Sequence, residues 1–437
     1  MSETKVSFMD KMQDWMMEKV LPVANTLSNQ KHLASVRDAM TLLIPLTIIG
    51  GFAVLLVQPP ITEGSTNGFL LAWQAMATGP VGTALWPVYF LTMGCLSIYV
   101  CAGVAHFLAK RYELNTITNV ISALAVFIII SGAFDMASGS LNYSFFGASY
   151  MFGAILVAII SVEVTNFFMK RDIKIKMPDS VPPNVTAPFE ALIPFGATVV
   201  GMLVIDGLIK NITGAGFTSL VFTIFQPLMR ATGSIPSVLL INFIITFFWF
   251  FGIHGDNMVA PVTNPITTAA IAVNAEAYAS GGSAPYVYAG AVATVFGQWC
   301  FFFCLQILMM FFCKSSRLKN LVKVSIVPSM FNINEPGVFG IPTVLNIFLF
   351  IPGAICSMLN FLIYALCANA GLVRKFMVAA PWTTPGPLNA FLATGFDFRA
   401  IIIWFIIFAL DIAITLPFMR SYDKQLLAEE AAEADIE

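Results

Sequence analysis

Apolar runs long enough to cross a lipid bilayer recur along almost the whole of this chain. A transmembrane helix needs roughly 20 mostly apolar residues. The stretches near this length are 41–57, 85–108, 116–130, 150–169, 192–209, 238–253, 288–312, 344–366 and 400–419, with 321–342 interrupted by a polar motif. Charged residues make up only 11% of the sequence, against roughly 25% in a soluble domain. The pattern predicts an all-α polytopic membrane protein with about ten transmembrane helices.

Lysine and arginine residues alternate between loops in the way that fixes orientation in a membrane. The arm before the first run is rich in them, residues 58–84 contain none, and Lys110 and Arg111 follow the second run. Basic residues return after the fourth run. The positive-inside rule therefore predicts that both termini are cytoplasmic. The acidic end, 429–437, is expected to be a frayed helix in water.

Two segments are candidate hinges between larger parts of the chain. The loop 177–190 is rich in proline, and residues 213–236 contain a short helix with apolar residues at helical spacing. That spacing fits an interfacial amphipathic helix and a poor transmembrane span equally well. The predicted organisation is a first half (1–211), an amphipathic connecting helix (212–236), a second half (237–420) and a cytoplasmic tail (421–437).

Three segments of the second half interrupt apolar sequence with proline, glycine and asparagine: 254–270, 331–342 and 378–395. Irregular backbone at membrane depth is tolerated only where protein or a watery cavity satisfies its polar groups. Broken helices and re-entrant hairpins mark substrate sites in transporters. Ordinary external loops have similar composition and are the alternative.

Two ionisable residues lie in these polar segments. His254 directly follows the run FIITFFWFFGI, and Glu335 lies between Asn334 and Pro336. Burying a charge in a membrane is costly, so an ionisable residue there indicates function. Either residue alone could be structural, as a helix-capping imidazole or a loop carboxylate. Their occurrence in polar breaks of one half favours function.

The polar chemistry of the second half favours a neutral, hydroxyl-rich ligand. No apolar run carries lysine or arginine at its centre, which argues against an anionic substrate. Carboxylates and amides bind hydroxyls, and an indole face stacks on a sugar ring. Trp249 and Trp382 are candidates for this stacking, although anchoring at the membrane interface is the commoner role of tryptophan. Trp382 lies within PWTTPGP and is the better candidate.

Other classes of ligand find no support in the sequence. The formal net charge is −2, so we expect no nucleic-acid partner. The seven cysteines lie in or beside apolar runs, without a CxxC motif or a histidine cluster. We therefore expect no disulfide framework, no metal site and no cofactor.

The polar segments carry a family resemblance. FFGIHGDNMVAPVTNPI (250–266) and PSMFNINEPGVFGIPTVLN (328–346) resemble the two signatures of the sugar-translocating enzyme IIC of the phosphoenolpyruvate-dependent phosphotransferase system, in its lactose/cellobiose/diacetylchitobiose family. PWTTPGP and RDAMTLLIPLTIIGG (37–51) are also similar to that family. The resemblance covers essentially the whole chain.

The resemblance implies an architecture. It implies a homodimer in the bacterial cytoplasmic membrane, with about ten spans and two re-entrant hairpins in each protomer. The first half would be a scaffold that forms the dimer interface. The second half would be a transport domain that moves across the membrane with its sugar.

The resemblance also implies a reaction. Members pass an external disaccharide such as cellobiose, diacetylchitobiose or lactose to enzyme IIB, whose phosphocysteine phosphorylates a sugar hydroxyl, usually on carbon 6. Upstream partners are enzyme IIA and the phosphocarrier protein.

The resemblance also assigns residues to the site. Glu335 and His254 match the catalytic glutamate and histidine of the family. The residues expected to contact the sugar are Asn257, Asn334, Trp249 and Trp382. The sequence lacks a phosphorylatable soluble domain, so the donor is expected on another chain. The alternatives are an ion-coupled secondary sugar transporter and a membrane enzyme without transport.

Overall fold

The computed structural model describes residues 30–59, 68–178, 181–340 and 346–434, with the separate positions 18, 19, 22, 26 and 66. The described residues form two compact units. The N-terminal unit comprises Asn29–Ala231 with Asn264–Ser283, and the C-terminal unit comprises Thr232–Thr263 with Ala284–Glu437, within the described residues. The roles of scaffold and transport domain for 1–211 and 237–420 remain predictions.

Helices dominate the N-terminal unit, and its only described strands form one hairpin. The helices are α1 (Lys31–Leu42), α2 (Ile44–Val57), α3 (Gly68–Thr78), α4 (Pro80–Leu91), α5 (Leu96–Arg111), α6 (Thr116–Ile130), α7 (Met151–Lys170), α8 (Pro183–Thr213) and α9 (Phe217–Thr232). Strands β1 (Phe134–Asp135) and β2 (Ser140–Leu141) pair antiparallel. Helix α5 packs against α1, α6 and α7 and forms the centre of this unit.

Helix α9 covers the predicted amphipathic segment and packs on α7. Its buried residues Thr218 and Val221 lie on one face, and Phe225 stacks on Phe152 with ring centroids 4.6 Å apart. A Cβ atom at Gly153 would lie only 2.9 Å from the Thr218 Cβ. Glycine therefore lets the two backbones approach closely.

The C-terminal unit has the following helices: α10 (Ile235–Phe250), the start of α11 (Gly255–Ala279), a π-helical segment (Ala293–Gln298), α12 (Trp299–Phe311), α13 (Ser316–Met330), α14 (Glu335–Gly340), α15 (Ile347–Asn369), α16 (Gly386–Ala393) and α17 (Phe398–Ala434). Helices α12, α15 and α17 enclose a core that includes Leu305, Leu308, Cys356 and Met419.

Six described helices are long and apolar enough to cross a membrane, or up to eight if two bent helix pairs each count as one span. One further apolar helix, Thr116–Ile130, is shorter. The all-α prediction is confirmed at this level of helices and apolar spans. The count of about ten spans and the two re-entrant hairpins remain predictions.

The acidic end of the chain differs from the expectation of a frayed helix. Helix α17 continues to Ala434, and near its end the carboxylate of Asp423 accepts hydrogen bonds from the backbone N–H groups of Lys314 and Ser315 at 2.9–3.0 Å. Glu430 accepts one from the Ser315 hydroxyl at 2.7 Å. The first turn of a helix carries unpaired N–H groups and a partial positive charge. Hydrogen bonds to the start of α13 therefore hold the last part of α17 in position.

Candidate functional site

The first polar break ends α10 through a defined backbone turn. Gly252 adopts φ +74°, in the left-handed region that glycine enters without strain. The N–H of Gly252 donates to the Trp249 carbonyl and that of Ile253 to the Phe248 carbonyl, both at 3.0 Å. These two bonds form a Schellman motif, which satisfies the last carbonyls of α10 and turns the chain away.

His254 begins the next helix and packs on a tryptophan. Its Nδ1 accepts a hydrogen bond of 3.4 Å from the backbone N–H of Asn257, so the imidazole caps the start of α11. Because Nδ1 is the acceptor, a neutral ring carries its proton on Nε2. The ring lies 4.4 Å from that of Trp249, measured between centroids. Trp249 is only 7% exposed, whereas Asn257 is exposed.

A carboxylate that sequence reasoning did not select lies beside this histidine. Asp256, in the first turn of α11, accepts a hydrogen bond from the Trp249 Nε1 at 3.3 Å. With its amide oriented to satisfy both groups, Gln298 donates to both Asp256 oxygens, at 2.7 and 3.0 Å. Gln298 ends the π-helical segment, a conformation common at functional sites. The signal in the sequence was one glutamine within the apolar stretch VFGQW.

The second polar break ends α13 with the same backbone turn. Asn332 adopts φ +61°, and its N–H donates to the Ser329 carbonyl at 3.1 Å. The N–H of Ile333 donates to the Pro328 carbonyl at 3.0 Å. This is again a Schellman motif, here with asparagine, the residue other than glycine that most readily adopts left-handed backbone.

The two breaks match residue for residue. Phe251, Gly252, Ile253 and His254 in the first correspond to Phe331, Asn332, Ile333 and Asn334 in the second. In each case a left-handed residue is followed by isoleucine and then by a polar residue whose carbonyl accepts the first bond of the next helix. The shared pattern shows that the backbone itself positions His254 and Asn334.

Side chains in the second break bond mainly to one another. Asn334, 8% exposed, accepts a hydrogen bond from the Ser329 hydroxyl at 2.7 Å and donates to Asn332 Oδ1 at 3.1 Å. Asn332 Nδ2 donates to the Trp382 carbonyl at 3.2 Å. The indole of Trp382 is 55% exposed. Asn332 therefore fixes the loop that presents Trp382, a role that sequence reasoning missed.

The predicted site residues are connected through two other residues, Val338 and Asn332. Val338, in α14, belongs to the same buried cluster as Trp249 and lines the same small cavity, and Trp249 contacts His254, so the two breaks are neighbours. Asn332 joins the second break to Trp382. The backbone of Glu335 begins α14, and its side chain lies outside the described part of the structure.

The chemistry of these neighbouring breaks is polar and close to neutral. The polar side chains described above are amides, two indole rings, one hydroxyl, one imidazole and a single described carboxylate, that of Asp256, which bonds to Trp249 and Gln298. Such groups donate to and accept from hydroxyls and carry no cation with which to hold a phosphate or carboxylate ligand. A small apolar cavity of about 30 Å³ lies beside Trp249 and Val338 and is too small for a sugar.

Comparison with known proteins places the chain in a family. The family model described as "Phosphotransferase system, EIIC" matches residues 37–357. The chain is 31% identical over 434 residues to the PTS system lactose-specific EIICB component of Staphylococcus epidermidis, covering 97% of this chain and 72% of that relative. It is 30% identical to the PTS system lactose-specific EIICB component of Staphylococcus haemolyticus, covering 98% of this chain and 73% of that relative.

A solved structure shares the fold. The crystal structure of the transporter ChbC, the IIC component from the N,N'-diacetylchitobiose-specific phosphotransferase system, matches with a TM-score of 0.86 and 28% identity. The match covers 95% of this chain and 99% of that chain. Together with the apolar helices, these matches identify a multi-pass membrane protein. The chain belongs to the EIIC family of the phosphotransferase system.

Proposed function

We propose that this protein is the enzyme IIC permease for a β-linked disaccharide such as lactose, cellobiose or diacetylchitobiose. The observation that carries the proposal is that Trp249, whose ring lies against that of His254, shares a buried cluster with Val338, so that the two polar breaks are neighbours. Lactose and diacetylchitobiose appear in the names of the relatives, and the near-neutral polar breaks suit both sugars.

The proposed reaction transfers a phosphoryl group to a bound sugar. The Glu335 carboxylate accepts the proton of the hydroxyl on carbon 6 while that oxygen attacks phosphorus. The P–S bond to the enzyme IIB cysteine breaks, and the cysteine leaves as a thiolate. His254 orients the hydroxyl and stabilises developing charge. Most catalysis of such transfers is positioning, which a rigid break at the start of a helix supplies.

Sugar contacts are proposed for four further residues. Asn257 and the Trp382 indole are exposed and could reach a ligand directly. Trp249 and Asn334 are buried among protein partners, so they contact sugar only if closure or opening of the site rearranges them. The alternating conformations of a transporter provide such a rearrangement.

The proposed transport mechanism is an elevator movement of the second half against a dimeric scaffold in the bacterial cytoplasmic membrane. About ten spans, two re-entrant hairpins and cytoplasmic termini belong to this proposal. The short α14, which follows a helix break, supports a hairpin there. Phospho-enzyme IIB is the proposed donor, supplied by enzyme IIA and the phosphocarrier protein, because the curated relatives are EIICB components.

Uptake into membrane vesicles tests the proposal. We expect uptake that requires phosphoenolpyruvate and the soluble phosphotransfer proteins, with the product recovered as sugar phosphate. Uptake of unmodified sugar driven by a proton or sodium gradient would establish the ion-coupled alternative. Phosphorylation in detergent with no vectorial movement in vesicles would establish a membrane enzyme without transport.

A further inference from the structure

The N-terminal unit contains a cavity separate from the polar breaks. Its volume is about 220 Å³. Trp86, Tyr89 and Phe90 of α4, Tyr143 after the β-hairpin, and Glu276 near the end of α11 line it. The three α4 residues lie at i, i+3 and i+4 and so share one helix face. Glu276 lies three residues before Ala279, the last residue of α11.

Polar groups in this cavity have unused hydrogen-bonding capacity. Tyr89 is only 4% exposed, yet its hydroxyl makes no hydrogen bond to any residue that the structure describes. The Glu276 carboxylate likewise has no hydrogen-bond or ion-pair partner among the described residues. Both groups line the same cavity. Glu276 is exposed and the Tyr89 hydroxyl is not sealed inside the protein, so both groups are free to bond to a ligand or water in the cavity.

The walls of the cavity are aromatic. The rings of Trp86 and Phe90 stack with centroids 5.3 Å apart, and Phe90 lies 5.0 Å from Tyr143. Aromatic faces beside a carboxylate and a phenol match the apolar face and the hydroxyls of a sugar ring. The volume is below the roughly 300–1,000 Å³ of pockets for drug-sized ligands, which suits one ring of a disaccharide.

The segments that line the cavity lie near loops that are predicted to be external. The cavity is built from segments next to residues 58–84 and around the β-hairpin, which the positive-inside rule places outside the cell. The hydroxyl of Tyr278 donates to the Gln58 carbonyl at 2.6 Å, which fixes the end of α11 against the end of α2.

We propose that this cavity is a second saccharide site, in which Glu276 and Tyr89 bond to the hydroxyls of one sugar ring against the Trp86 and Phe90 rings. The inference rests on the proposed function, since it takes the ligand to be the transported disaccharide. Its role is to collect sugar at the external surface before transport.

Binding stoichiometry tests the second site. Equilibrium dialysis of the purified full chain with radiolabelled cellobiose, lactose and diacetylchitobiose is expected to give two sites per protomer for the transported sugar. The double variant Glu335→Gln with His254→Ala should weaken binding at the polar breaks, through loss of His254, and leave the second site at wild-type affinity. Adding Glu276→Gln to that double variant should weaken the remaining binding at least about tenfold, because hydrogen bonds to a charged acceptor are lost.

Matched variants control for misfolding. Tyr89→Phe removes only the hydroxyl and should weaken the second site, whereas Tyr150→Phe, outside the cavity, should not. Glu113→Gln, in the turn after α5, is the control for Glu276→Gln. Ala279→Phe should block the site by filling the cavity that Ala279 lines.

The outcomes separate this inference from the proposed function. If the wild type binds no saccharide, the proposed function fails. If the wild type binds sugar but the Glu335→Gln, His254→Ala variant loses all binding, the second site does not exist and the proposed function survives. If choline competes at the second site and sugar does not, the cavity is a cation–π site and the inference is wrong.

Discussion

The first break, 250–257, and the second, 330–337, use the same backbone turn for different side-chain chemistry. In the first, glycine occupies the left-handed position and His254 packs on Trp249 at the start of a 25-residue helix. In the second, Asn332 occupies that position and bonds through its side chain to Asn334 and to the Trp382 loop, before a helix of six residues.

The difference shows how one backbone turn can carry different side-chain contacts in the two breaks. Gly252 has no side chain, so the side-chain hydrogen bonds of the first break are made by other residues, among them His254 and Asp256. An asparagine makes the turn and also ties together the loop that carries Trp382. The second break is thus cross-linked by side-chain hydrogen bonds just before the backbone of Glu335 begins α14.

The largest expected effect is on the rate of sugar phosphorylation, and it comes from Glu335 in the second break. Glu335→Gln should lower the rate of sugar phosphorylation by about 10²–10⁴, the usual contribution of a general base, and leave disaccharide binding within a few-fold. Phosphorylation in vesicles with phospho-enzyme IIB, alongside dialysis, measures both. Wild-type phosphorylation would remove Glu335 from the proposed role. Glu113→Gln is the control.

The next effect concerns the start of α13, the helix that leads into the second break. Asp423→Asn should destabilise the protein by about 2 kcal/mol, because an NH₂ group would face the N–H groups of Lys314 and Ser315. Glu433→Gln, which breaks an exposed pair with Arg317, should cost clearly less, because solvent screens exposed charges. Thermal unfolding in detergent measures both, and equal losses would contradict the capping role.

Valine at the two left-handed positions should destabilise both breaks. Gly252→Val and Asn332→Val should each cost at least about 1–2 kcal/mol, because branched side chains are strained at φ +74° and +61°. Thermal unfolding measures this loss. If valine is tolerated at either position, the Schellman turn there does not persist.

Placing each break's left-handed residue in the other break separates the effect of the backbone turn from that of the asparagine side chain. Gly252→Asn should leave disaccharide affinity unchanged, whereas Asn332→Gly should keep the turn but weaken binding a few-fold through loss of the bond to the Trp382 carbonyl. Calorimetric titration measures the affinities. Equal affinities for the two exchanges would show that the cross-link does not matter.

Exchange of the helix-starting residue is the mildest test of the first break. His254→Asn should retain the cap on the Asn257 N–H and change stability by less than about 0.5 kcal/mol. His254→Ala should also lose the cap, which should lower the free energy of unfolding by about 1 kcal/mol. Both variants should weaken disaccharide binding. Calorimetric titration measures the affinity of each variant, and thermal unfolding measures its stability. Unchanged binding in both would exclude His254 from the sugar site.

Local patterns in the sequence were enough to identify the membrane class, the positions of most helices and the helix ends before His254 and Asn334. The segment 254–270, which was predicted to be irregular, is instead helical from Gly255 onward, within α11. Apolar runs, proline, glycine and asparagine act within a few residues, so the chain shows them directly. The motifs around His254 and Glu335 also indicated the family that the comparisons confirm. The left-handed turn at Asn332 was within reach of the same reasoning, because it repeats the pattern of Gly252.

Only the tertiary structure decided which distant groups meet. Gln298 reaches Asp256 from 42 positions along the chain, Asp423 caps a helix that starts more than 100 residues earlier, and Glu276 faces aromatic rings of α4. Such pairings depend on how helices pack, and helices of similar apolar composition can pack in many arrangements. The sequence therefore determined where polar chemistry interrupts the membrane helices, and packing determined which of those polar groups share a site.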